Sequence, residues 1–219
     1  MEKIFKRLKE KQNNEYLLFN SLPIIVKDRL TNDIKIVDLI KSIENTLPYS
    51  FRSLVKSITI LDHPIFKERD INALFKDKKI FISNHQDDLN DLLDDIIHEF
   101  AHALEKKFKK EIYSDESIKN EFLSKRNQLE TTLRTSGYDT IGYDFEKKHY
   151  DQIFDNFLLN IVGYETFRNL TNHSLFINPY AATSLKEYFA TGFEEYILGD
   201  HKELQVVSPK LYKKLQDII

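Results

Sequence analysis

Apolar residues recur at helical spacing along most of this chain, and strand-like runs are short. Residues Asp33–Leu47 place Ile36, Leu39, Ile40 and Ile43 on one face, which predicts a helix stopped by Pro48. The strongest pattern covers Asp88–Phe108. There Leu89, Leu92, Leu93, Ile96, Ile97, Phe100, Ala101, Leu104 and Phe108 form one continuous apolar stripe. Ile118–Leu133 predicts a mostly polar helix, and Tyr150–Leu170 one rich in Phe and Leu. Leu185–Leu198 predicts a helix with Leu185, Tyr188, Phe189, Phe193, Tyr196 and Ile197 inward, ended by Gly199. Pro209 opens a final helix reaching Ile218, and Lys3–Lys11 reads as a short basic amphipathic helix.

Two runs read as strands, Ser57–Leu61 and Lys79–Ser83, both short and β-branched with polar flanks. A turn is expected within Asn72–Asp77. Together these predict a small sheet beside the Asp88–Phe108 helix rather than a βαβ array. Thr135–Phe145, with Gly137 and Gly142, reads as a loop, and Thr171–Thr183 as irregular chain around Asn178-Pro179. No repeat or low-complexity linker interrupts the chain. The expected fold is α+β: a mainly helical domain with a small β-sheet. One domain is expected over 1–219, with an N-terminal helical part (1–56), a sheet and central helix (57–108), a helical insert (109–178) and C-terminal helices (179–219).

Composition narrows the function. Hydrophobic residues make up 41% and aromatics 12% of the 219 positions, which suits a packed core. A formal net charge of −3 gives no global pull toward nucleic acid or an anionic membrane. The N-terminus lacks the apolar core of a secretory signal, and no run approaches the ~20 apolar residues of a membrane span. The default expectation is a cytoplasmic protein, or a secreted one if a leader has been removed. There is no cysteine, so a metal would have to sit on His, Asp, Glu or water.

Within the central helix stands His98-Glu99-Phe100-Ala101-His102. Two histidines four apart on one helix face can hold one Zn²⁺, and a glutamate after the first can act as base toward a water on it. Asp87, Asp88, Asp91 and Asp94 crowd the start of this helix, and Lys106, Lys107, Lys109 and Lys110 its end. That order complements the helix dipole, so the acidic cluster needs no metal to explain it. Glu105 and Phe108 stand where a metzincin would continue with Gly and His, which excludes that class. A third ligand could then be His149, His173 or His201, or a carboxylate on a second helix.

Residues 180–190 read YAATSLKEYFA. A tyrosine seven residues before a glutamate, followed by aromatic residues and alanine and preceded by H-E-x-x-H, resembles the anthrax lethal factor-like metallopeptidases. That family includes the lethal factor catalytic domain and the Pro-Pro endopeptidases. The resemblance runs from about Lys79 to the end. It implies a zincin-like metallopeptidase fold and a zinc endopeptidase with one Zn²⁺ per chain on His98, His102 and Glu187, Glu99 as general base, and Tyr180 facing the oxyanion. It also implies a peptide or protein substrate. The chain departs from the family at Thr191, where another acid often stands, and in a longer insert between the motifs.

Competing roles exist for the same residues. Ser184 and Glu187 have the spacing of a capping box, and Tyr180 can be a buried aromatic. Asp94, Asp95, Glu194 and Glu195 are candidate acceptors for the outer nitrogens of the histidines. A catalytically silent binding module of the same fold, or a zinc hydrolase acting on a non-peptide amide, would carry the same pattern.

Overall fold

The computed structural model describes residues 15–171 and 174–219; the helix expected over Lys3–Lys11, and His173, lie outside the described residues. The fold is α+β, mostly helical, with one mixed five-stranded sheet. The chain forms two compact units, one ending at Lys107 and one running Phe108–Ile219.

The first unit holds the sheet. Its strands are β1 (Glu15–Leu18), β2 (Leu22–Val26), β3 (Ser57–Leu61), β4 (Ala73–Lys76) and β5 (Lys79–Ser83), in the spatial order β1-β2-β3-β5-β4. Both outer pairs are antiparallel hairpins, while β2, β3 and β5 run parallel. Helix α1 (Ile36–Thr46) connects β2 to β3, and α2 (Pro64–Arg69) lies between β3 and the β4–β5 hairpin. The centre of the sheet is thus built from parallel crossovers, contrary to the expectation of a sheet without βαβ units. The reason is visible in β3, which is buried at four of its five positions, the polar Ser57 and Thr59 included, as a central parallel strand covered on both faces would be.

The expected turn within Asn72–Asp77 is instead mostly strand β4. The reversal is carried by Asp77 and Lys78, both in the left-handed region at φ 53° and 61°. Helix α3 (Leu89–Lys107) packs against β4, β5 and α1. Its Leu92, Ile96, Ile97 and Phe100 are fully buried, as are Ile58, Ile60, Ile80 and Ile82 of the strands. Each such side chain contributes roughly 1.5–3 kcal/mol by leaving water.

The second unit is helical: α4 (Lys109–Tyr113), α5 (Ser117–Thr135), α6 (Gln152–Asn156), α7 (Tyr164–Leu170), α8 (Leu185–Leu198), α9 (His201–Val207) and α10 (Pro209–Ile218). The single helix expected over Tyr150–Leu170 is divided. Residues Phe157–Val162 widen into a π-turn, and Gly163, at φ 82°, breaks the path before α7. Residues 136–151 between α5 and α6 carry no regular element, as the glycines suggest. Among the described residues no helix is long and apolar enough to cross a membrane.

Candidate metal centre

The approach to α3 is held by side chains of the loop after β2. Thr31 Oγ1 accepts from the Gln86 N–H at 3.0 Å, and Asn32 Nδ2 donates to the carbonyls of Gln86 and Asp87. Asp88 then caps the helix, its Oδ1 accepting from the amides of Asn90 and Asp91 at 2.6 and 3.0 Å. The acidic cluster therefore begins with a cap. Partial desolvation, together with the charges of Asp88 and Asp87, holds the Asp91 carboxyl above its usual range.

With its apolar stripe buried, α3 leaves His98 and His102 half-buried at the margin. Their rings meet edge to face, centroids 5.0 Å apart. Glu99, between them in sequence, is 6% exposed. One turn before His98, Asp95 Oδ2 accepts from Nε2 of the buried Gln86 at 3.1 Å.

In the second unit, Ser184 caps α8: its Oγ accepts from the Glu187 N–H at 3.2 Å. The Ser184 half of the capping box, hydroxyl to N3 amide, is thus present. The next residue anchors the helix. Tyr188 Oη donates to Glu121 Oε2 at 2.9 Å, and the same Glu121 carboxylate accepts from the amides of Lys210 and Leu211 at the start of α10. Burial, reinforced by the Glu121 charge, pushes the Tyr188 phenol well above its ordinary pKa. Glu195, a candidate acceptor for a histidine, instead accepts from the Asp200 amide at 2.7 Å, just past the end of α8.

Tyr180 sits half-buried in a 3₁₀ turn, Pro179–Ala182. Asn178 Oδ1 caps that turn by accepting from Ala181 N–H, and Thr183 Oγ1 closes it on the Tyr180 carbonyl at 2.8 Å.

One ligand atom from each of His98, His102 and Glu187 lies within 4.8 Å of the other two, a group that could hold a metal ion. Among the described residues no other trio of His, Asp and Glu does so. His201 is occupied elsewhere, its Nε2 2.6 Å from the Tyr196 carbonyl and its ring stacked on Tyr196. Two imidazole nitrogens and one carboxylate oxygen, without thiolate, are the donor set of open catalytic zinc sites. Bonds of about 2 Å to a tetrahedral ion put donors roughly 3.4 Å apart, inside the 4.8 Å within which these donors lie.

Reading the sequence missed Arg126. It is 1% exposed on α5 and spends its guanidinium on three backbone carbonyls. The signal was available: Ile118, Phe122, Leu129 and Leu133 mark the buried stripe of this helix, and Arg126 falls where that stripe calls for an apolar residue.

Neither the protein-family models nor the curated proteins nor the solved structures include a match to this chain.

Proposed function

We propose that this chain is a zinc-dependent endopeptidase in which His98, His102 and Glu187 hold the ion. The observation that carries the reading is the convergence of those three donors, two from one helix and one from a helix more than eighty positions later in the chain. A zinc ion so bound supplies an acidified water and a positive charge to polarise the scissile carbonyl. Glu99 takes the proton of the attacking water and returns it to the departing amine, the work of a general base and then a general acid. Its place beside His98 on the same helix fixes it relative to the ligand pair. The Tyr180 hydroxyl donates a hydrogen bond to the oxyanion of the tetrahedral intermediate, where a fixed donor counts most. The resemblance of residues 98–102 and 180–190 to the lethal factor-like metallopeptidases supports this division of roles and a peptide or protein substrate.

The test is metal analysis of the purified protein beside its variants. The wild type is expected to hold about one zinc per chain, and His98→Ala, His102→Ala and Glu187→Ala each to lose it. A wild-type protein that binds no zinc, or a Glu187→Ala variant that binds it as tightly as wild type, overturns the reading.

A further inference from the structure

Arg126 is a charge in a place that packing would give to leucine. Its Nε donates to the Phe145 carbonyl at 3.1 Å, one terminal nitrogen to Ala182 at 2.6 Å and the other to Asp144 at 2.6 Å. The guanidinium carbon lies 3.6 Å from the centre of the Phe154 ring, with the Phe122 and Phe145 rings at 5.7 and 5.6 Å. Burial lowers its pKa to about 10, so it remains a cation at neutral pH. A buried ion of this kind is a weak source of net stability, because desolvation offsets what its bonds return. What it does supply is geometry: a planar fork with fixed donor directions.

The three carbonyls belong to two segments far apart in sequence. Asp144 and Phe145 lie within the irregular segment that follows α5; Ala182 ends the turn that carries Tyr180. A second tie lies close by, where the Leu185 amide donates to the Lys148 carbonyl at 2.9 Å. We propose that Arg126 is a positioning residue that locks the Thr135–Phe145 loop to the Tyr180 turn through these carbonyls, so that loop and tyrosine are set together. This rests on the role of Tyr180 proposed above. Under it the loop is not a passive connector: loosening it displaces the oxyanion donor, and fixing it pre-organises that donor.

The test compares full-length wild type with Arg126→Met, which keeps much of the volume, and Arg126→Lys, which keeps the charge without the fork. Hydrogen exchange followed by mass spectrometry is read on peptides covering 138–146, 178–184 and 89–107. In the Met variant the first two are expected to exchange at least several-fold faster and by similar factors, with the third unchanged; the Lys variant falls between. On a fluorogenic peptide cleaved by wild type, kcat is expected to fall by about 10²-fold in the Met variant with little change in KM, and partly to recover with Lys. Loosening of one segment without the other, or a rise in KM with kcat intact, overturns the lock. Should the Met variant not fold, the Lys variant decides by the same two readouts. The exchange measurement needs neither metal nor turnover, so a chain without zinc sinks the proposed function and leaves the lock to be judged on exchange.

Discussion

The phenol of Tyr188 donates to the carboxylate of Glu121 at 2.9 Å, tying the residue after Glu187 to a helix more than sixty positions earlier in the chain. Glu121 also accepts the first amides of α10, so a single carboxylate holds three helices in register. Tyr188→Phe keeps the ring in place and removes the donor. Equilibrium unfolding is expected to show a loss of about 1.5–3 kcal/mol, the range for a hydrogen bond to a charged group. Zinc affinity should fall modestly with it, because the helix presenting Glu187 loses an anchor.

Under the proposed mechanism, variants at Glu99 and Tyr180 would separate metal binding from chemistry. Glu99→Gln should retain zinc at the wild-type ratio and lower kcat by about 10²–10⁴-fold, the span of general acid–base catalysis. Tyr180→Phe should also retain zinc and lower kcat by about 10²–10³-fold, the effect of removing one oxyanion donor. Peptide cleavage that survives Glu99→Gln at full rate contradicts the mechanism.

Gly192 lies one and a half turns after Glu187 on α8, and a Cβ there would come within 2.2 Å of Leu211 Cδ2. Leu211 is fully buried on α10, so it has little room to withdraw. Alanine would gain up to about 1 kcal/mol in helix propensity, yet overpacking costs about 1–3 kcal/mol. Gly192→Ala is therefore expected to lower the thermal midpoint, and Gly192→Ala combined with Leu211→Ala to relieve that part of the clash in a double-mutant cycle.

The acid side of the stability curve should depend on Asp115. Its hydrogen bond to Lys214 at 2.6 Å, then those from the Ser117 amide and hydroxyl, hold its carboxyl far below the usual range. A depressed native pKa means stability that is fully present above the unfolded value of about 4 and is lost as pH falls below it. Denaturant midpoints for Asp115→Asn should thus lie below wild type at pH 7 and converge with it on acidification below about pH 4. High salt should narrow the gap at pH 7, since this carboxylate is exposed.

Long periodic helices were legible in the sequence and short special ones were not. The boundaries expected for α8, α10, β3 and β5 agree with the structure because caps, proline and β-branched runs all speak locally. The β1–β2 hairpin escaped notice because its turn residues Phe19 and Asn20 take φ 55° and 57° without glycine, and Pro23 sits in β2 opposite Leu17. Helix α9 was missed although Asp200 caps it by accepting from Lys202 N–H. At the site, the His98/His102 spacing is a property of one helix and can be read from one segment. The proximity of Glu187 is a property of the folded chain, and in the sequence it was reachable only through the resemblance.

Among the described residues the sheet ends on both sides in a strand of four residues, Glu15–Leu18 and Ala73–Lys76. Its parallel middle, rich in Ile, is paired on both sides and offers no free backbone edge to a neighbouring molecule. Such a molecule meets a brief outer rung on either flank, with a charge at Glu15 and at Lys76, which limits the backbone bonds it can add. Lengthening either flank with β-branched residues would trade that protection for fibre formation.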